Sequence, residues 1–502
     1  MKKLLVVLPA VVLTVSVFAT DRDEGIRENF GPRFRSNPTF HHIHRPTKGL
    51  DAIHRWNEIA IDAAGLDHTP VAPGETRHFG EQLGPGRSSR AIAIVQIAIF
   101  DAVNAVVGGY ESYTRVQAPR GPVSLDAAID KAAHDTLVAM YPSQADDFDD
   151  RLAEDLAGIK DGREKSNGIA LGQRAAAAIL GLRVLDGSEV AEPRVNVDHL
   201  TSNLPGHWRQ DPISLIPLAL GGHWGECVPF VVESTDQFRA PPPPAMTSAA
   251  YATAFEEVKR VGGDGVTTPT LRTPEQTFIG IFWGYDGTPS LCAPPRLYNQ
   301  IAVQIADRTK LRTIDLARLL ALVNVAMADA GMTVWESKYY YDFWRPITGI
   351  RESDPGTGPT GAGDGNPATI GDVNFSPLGA PASNLTGPNF TPPFPAYPSG
   401  HAGFGGALFQ ILRRFYGTDR IAFTFISDEY NGTTKGNDGV ARPLRPRSFS
   451  SLSQAEEENG QSRIYLGIHW AFDKTAGIAQ GRRVADYVFE NAFVPLRRRD
   501  DH

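Results

Sequence analysis

The chain has 502 residues, 41% apolar and 21% charged, which is enough to bury a large core and to hold more than one domain-sized unit. Its net charge of −8 excludes nucleic acid or an anionic membrane surface as the main partner, so an anionic ligand requires a local basic cluster. Two cysteines, Cys227 and Cys292, and no C-x-x-C spacing exclude a disulfide scaffold and a cysteine metal or redox centre, leaving one bridge or two buried thiols.

In chain order, MKKLLVVLPAVVLTVSVFAT opens with Lys2 and Lys3, runs apolar from Leu4 to Phe18 and reaches small Ala19. This pattern predicts a signal peptide over residues 1–19 and a secreted or periplasmic protein. Pro9 interrupts the run, which is shorter than the ~20 residues a span needs, so no membrane span is expected after cleavage. HHIH at 41–44 has metal-binding residue types but no evident acidic partner, and His54 and His68 flank a helical pattern without an evident partner. Helical spacing then recurs at 89–107, 125–140, 145–156, 167–185, 251–261, 275–283, 296–305 and 314–335, the last continuing to 344. It returns at 404–416 and at 464–493, with a break expected near Asp473. Phe423-Thr424-Phe425-Ile426 is too short to change the class, and the expected fold is all-α, built from packed helical bundles.

Three irregular segments interrupt the helices: APPPPA at 240–245, a Gly-, Pro- and Asn-rich stretch at 355–395, and residues 431–450 with Lys435, Arg442, Arg445 and Arg447. Long structureless segments are often functional, and the last two are expected to cover a mouth. Glu456-Glu457-Glu458 and Arg497-Arg498-Arg499 read as solvated charge runs.

The chemistry concentrates in three stretches. WESKYYYDFWRPITGIR holds Lys338 and Arg345, which on a continuous helix lie within about 20° of one face. Pro346 marks a helix end or kink, and the pair could equally be cations snorkelling at an aromatic edge. PFPAYPSGHAGFGG places Ser399, Gly400 and His401 at a helix start, either as a plain cap or as an anion site built from unpaired N–H groups. NGQSRIYLGIHWAFD holds Arg463 and His469, about 120° apart on one helix, so they converge only if Arg463 reaches round or lies in the preceding turn. Together these residues offer three permanent cations, a hydroxyl, a backbone N–H and two imidazoles, the donor set for a highly charged tetrahedral oxyanion.

In order, the three stretches resemble the K-x6-R-P, P-S-G-H and S-R-x5-H signature shared by vanadium-dependent haloperoxidases and type 2 phosphatidic-acid phosphatases. The long segment between His401 and Ser462 suggests an insertion at 431–450. The resemblance implies an anion site in the core of a C-terminal catalytic bundle, 311–502, preceded by an N-terminal helical region, 20–310. It implies vanadate as cofactor, with His469 as the metal ligand, His401 as acid/base, and Lys338, Arg345, Ser399, Gly400 and Arg463 on the vanadate oxygens. Hydrogen peroxide, chloride or bromide, and small organic halogen acceptors are the implied partners. PPFPAYPSGHA and Trp335 are similar to the chloroperoxidase branch, with Phe394 where algal bromoperoxidases carry histidine, and FWGYDG implies that Asp286 orients Arg463. Two alternatives remain: an acid phosphatase working through a phosphohistidine at His469, and a binding protein that retains the fold without catalysis.

Overall fold

Residues 23–496 are described by the computed structural model; the signal reading at 1–19 and Arg497-Arg498-Arg499 lie outside them. Fourteen α-helices form among the described residues: α1 (Glu24–Phe30), α2 (Ala52–Asp67), α3 (Gly84–Val107), α4 (Leu125–Met140), α5 (Ala145–Ala157), α6 (Arg163–Leu182), α7 (Ala249–Val261), α8 (Pro274–Phe282), α9 (Pro294–Ala306), α10 (Thr313–Tyr341), α11 (Pro346–Arg351), α12 (Gly400–Tyr416), α13 (Leu452–Tyr465) and α14 (Ala471–Asn491). Two short antiparallel pairs complete the structure: β1 (Arg35–Ser36) with β2 (Leu385–Thr386), and β3 (Phe423–Phe425) with β4 (Arg447–Phe449). The class is all-α, as the periodicity indicates.

The longest apolar runs become the centre. α3 and α10 are long and apolar enough to cross a membrane, yet their apolar stretches are mostly or wholly buried in the protein, as core helices. α10 packs on α3, α12 and α14. α12 and α14 approach so closely that a Cβ at Gly481 would lie 2.0 Å from the Gly403 carbonyl oxygen, and one at Gly477 2.6 Å from that of Ser399. Only glycine permits this contact, and it brings the start of α12 beside the start of α14.

The structure departs from the expected elements at informative places. α10 stops at Tyr341: Asp342 turns left-handed (φ 48°), with its N–H bonded back to the Lys338 carbonyl. Arg345 is therefore the N-cap of α11 and not a second residue on the face of Lys338. The helical pattern at 464–493 is split at 466–470, before Asp473, where Gly467 takes a φ of +74°. α13 was not legible as a helix because its buried face is polar, carrying Glu456, Asn459, Ser462 and Arg463. Glu456 is accordingly not a solvated charge: it is 1% exposed and bound by Arg413 and Arg482. Cys227 and Cys292 are two separate buried thiols, both pushed up to about 12 by burial.

Candidate active site

Ser399 stands at the N-cap of α12 but does not cap it: its Oγ is buried and bonds to nothing among the described residues. Its N–H donates to the Asp473 carbonyl at 3.0 Å, which fixes the start of α12 against α14. Gly400 follows as the first helical residue, and a Cβ there would lie 3.0 Å from the Trp335 ring, a tight contact that favours glycine. From the last turn of α10, Lys338 donates to the Pro395 and Ala396 carbonyls at 2.8 and 2.9 Å, which leaves its third N–H free to bind elsewhere. Arg345 uses Nε on the Phe394 carbonyl and Nη1 on the Ile468 carbonyl, both at 2.9 Å. Arg463, in the last turn of α13, grips Asp286 with Nη1 and Nη2 at 3.2 and 2.5 Å.

Hydrogen-bond logic fixes both imidazoles. Arg345 Nη1 lies 2.9 Å from His469 Nε2, and a guanidinium only donates, so Nε2 carries the lone pair. His469 Nδ1 then holds the proton and donates to Asp473 Oδ2 at 2.7 Å, a carboxylate oxygen that also accepts the Trp470 N–H. His401 Nε2 lies 2.6 Å from the Gly284 carbonyl, so it carries the proton and Nδ1 is the free base. Burial, reinforced by Arg345, Lys338 and Arg463, holds His469 well below the ordinary histidine value; burial and Arg463 do the same for His401.

The charges do not balance. Lys338, Arg345 and Arg463 are each at most 1% exposed, and among the described residues the carboxylates set against them are Asp286 and Asp473. Burial drives Lys338 well below its usual range and Arg345 down to about 9, while it lifts Asp473 to about 7. Arg345 Nη2, Arg463 Nε and Ser399 Oγ are buried donors with no acceptor among the described residues. Buried polar groups are almost always paired, so three orphaned donors at this site describe a cradle for an oxyanion, and the vanadate expected from the motifs fits it.

A cavity of about 710 Å³, its mouth included, opens from these residues and is lined by Gly400, His401, Arg463, His469 and Asp286 at its polar end. Trp335 and Phe394 meet above it with ring centroids 4.9 Å apart, and Lys338 Nζ lies 5.1 Å from the Phe394 centroid. The rest of the wall is mostly apolar and includes Phe30 of α1, Leu83, Ile216, Leu218 and Leu220, none of them marked by any motif. Trp335 is held by its Nε1 bond to the Leu220 carbonyl, which ties that loop to the site. Of the two segments expected to cover a mouth, 355–395 supplies Phe390, Pro392, Pro393 and Phe394, whereas 431–450 contributes no lining residue. Its Arg442 instead pairs with buried Glu429, which accepts the Tyr285 N–H beside Asp286.

Comparison with known proteins identifies the family and the fold. Residues 318–497 match a family model described as "VCPO second helical-bundle domain". The chain is 30% identical over 498 residues to the vanadium chloroperoxidase of Curvularia inaequalis, covering 84% of this chain and 78% of that protein. It superposes on a bacterial vanadium-dependent iodoperoxidase with a TM-score of 0.68 at 23% identity, covering 91% of this chain and 100% of that one. A bacterial vanadium-dependent chloroperoxidase in its apo form gives 0.59 at 17% identity, over 81% and 94% of the two chains. The two structures share the fold.

Proposed function

The chain belongs to the vanadium-dependent haloperoxidases, and from that premise we propose how its own residues support the oxidation of halide by hydrogen peroxide. Vanadate, when bound, supplies the Lewis-acid centre that activates peroxide toward the halide. His469 offers the Nε2 lone pair as metal ligand, with Asp473 keeping the proton on Nδ1. Arg345 Nη2, Arg463 Nε, Ser399 Oγ, the third N–H of Lys338 and the Gly400 N–H bind the oxygens, and Asp286 orients Arg463. His401 Nδ1 would accept a proton from hydrogen peroxide and hold it for return to solvent or product, while the Gly284 carbonyl keeps the other ring proton on Nε2. Trp335 and Phe394 strip water from the halide beside Lys338, so chloride and bromide are the proposed substrates.

The observation that carries this reading is three buried, unpartnered donors, on Arg345, whose Nη1 bonds His469 Nε2, on Arg463, which lines the same cavity as His469, and on Ser399, whose N–H bonds the Asp473 carbonyl. Phosphate is close in shape to vanadate and fits the same donors, but the apolar wall above them suits a halide and an uncharged organic acceptor better than a phosphate ester. The catalytic bundle is 311–502, a division supported by the region matched at 318–497, and the N-terminal region contributes the mouth through Phe30 and Leu83. The N-terminal charge and hydropathy pattern supports export to a secreted or periplasmic location. A vanadate titration of metal-free protein in phosphate-free buffer tests the assignment: peroxide-dependent bromination and chlorination appear with vanadate and fall as phosphate competes. Ester hydrolysis inhibited by vanadate, with no halogenation, would transfer the same residues to phosphatase chemistry.

A further inference from the structure

The HHIH stretch does have an acidic partner, reached through the fold and not along the chain. Asp62, in the middle of α2, receives His42 Nε2 at 3.0 Å on Oδ1 and His44 Nδ1 at 2.5 Å on Oδ2. The two imidazole rings lie 4.9 Å apart, nearly perpendicular, so both nitrogens face one carboxylate from different directions. Ser290 Oγ contacts His42 Nδ1 at 2.5 Å from the opposite side and fixes the direction of Nε2, as partners of metal-binding histidines do. We propose that His42, His44 and Asp62 form a second metal site, separate from the vanadate cradle, that takes a borderline divalent cation of the zinc class and pins the N-terminal arm onto α2.

The geometry distinguishes this cluster from the other histidine–carboxylate groups of the fold. His54 uses its two nitrogens on Asp51 and Asp307, and His134 uses its two on Asp135 and Asp149, so in each the carboxylates lie on opposite edges of one ring. No single ion reaches both carboxylates through the ring. At Asp62 one nitrogen from each of two rings and a carboxylate oxygen lie within 4.8 Å of one another. An edge of a tetrahedron around zinc, with bonds of about 2.0–2.2 Å, is about 3.3 Å, so small side-chain adjustments admit the ion. Two neutral imidazoles and one carboxylate are a zinc-type donor set, and the chemistry disfavours calcium and magnesium, which prefer all-oxygen shells. On binding, His42 Nε2 and His44 Nδ1 exchange their bonds to Asp62 for bonds to the ion. Each ring then presents a lone pair to the ion: His42 keeps its one proton on Nδ1, where Ser290 accepts it, and any second proton that the Asp62 carboxylate holds on His44 is released to solvent.

Burial favours a retained ion. The side chains of His42 and Asp62 are 5% and 10% exposed, and that of His44 is 49% exposed, leaving an entry path and room for a water as fourth ligand. The neighbouring cations are already occupied: Arg296 and Arg45 are bound to Asp428, and Arg151 to Asp147.

Calorimetric titration of the chelator-treated full chain with zinc chloride, without vanadate or phosphate, tests the proposal. One saturable zinc per chain is expected, with the unfolding midpoint raised by zinc and restored by chelator. His44→Ala touches an exposed ligand and should fold and keep vanadate-dependent activity, yet weaken zinc binding by at least about tenfold and lose the midpoint shift. His42→Gln should weaken it likewise. The absence of saturable binding, or equal affinity in the parent, His44→Ala and His42→Gln, would overturn the proposal.

Discussion

One helix, α13, carries both kinds of buried charge found in this protein. Toward its start, Glu456 is closed on by Arg413 of α12 and Arg482 of α14, and nearby Arg447 closes on Glu458 and Glu275. In its last turn, Arg463 satisfies Asp286 but keeps Nε orphaned, beside Arg345 and Lys338, which bond carbonyl oxygens and no carboxylate among the described residues. The first arrangement pairs every guanidinium and tethers helices. The second concentrates like charges at a desolvation cost that self-contained folding does not justify. Buried arginines therefore mark function here only where they are left unmatched, and abundance alone misleads: Arg442, Arg445 and Arg447 looked like part of a mouth but are bound to Glu429, Glu275 and Glu458.

The largest expected effect removes the centre of the unmatched region. His469→Ala takes away the lone-pair nitrogen that faces Arg345, and vanadate-dependent bromination should fall at least about 10³-fold. His401→Ala should also cripple turnover but retain measurable vanadate binding, because His401 serves the proton and not the metal. Full activity in His469→Ala would dissolve the distinction between the two regions.

Glu456→Gln tests the matched region. Loss of this carboxylate leaves Arg413 and Arg482 without their shared partner, and because Arg482 is partly solvated the cost is about 2–4 kcal/mol, read from the urea midpoint. Vanadate affinity should stay unchanged. A variant that keeps its stability but binds vanadate more weakly would mean that the ion-pair network belongs to the site.

How much of this was legible along the chain follows from the same contrast. The three motif stretches supplied every cradle residue, because close-range chemistry leaves its residue types in place. Their convergence was not legible in detail: Lys338 and Arg345 are seven positions apart, but the left-handed Asp342 replaces the assumed continuous helix. Periodicity reads burial from apolar residues, so it found α10 and missed α13, whose buried face is Glu456, Asn459, Ser462 and Arg463. The same blindness hid Asp62 on α2 as the partner of His42 and His44, and loops such as 215–220 reach the mouth with no local signal at all.

A pH experiment sharpens the idea that the site keeps charge at the expense of stability. Asp473 has a folded value of about 7, above the ordinary 3.8, because burial opposes its ionised form. A carboxyl raised on folding holds its proton in the native state while the unfolded chain has lost it, so its contribution to stability declines as pH rises from about 4 to about 7 and is flat above. Asp473→Asn keeps an acceptor for His469 and Trp470 and should gain on the parent by about 3–4 kcal/mol across that window, in vanadate-free protein. A constant difference between the two proteins from pH 4 to pH 8 would show that Asp473 titrates as an ordinary carboxylate.

The smallest expected effect concerns the wall that the unmatched cations face. Phe394 lies under both Lys338 and Arg345, whose cationic groups sit 5.1 and 4.9 Å from its ring centroid, and it excludes water from the side where a halide would approach. Phe394→His keeps a flat ring but adds polar nitrogens and admits water, which lowers the advantage of the strongly hydrated chloride more than that of bromide. The ratio of kcat/KM for chloride over bromide should fall roughly tenfold, about 1.4 kcal/mol of differential stabilisation, with vanadate affinity little changed. If both halides lose equally, the aromatic wall acts on the cradle as a whole, and halide choice must be set further along the apolar channel.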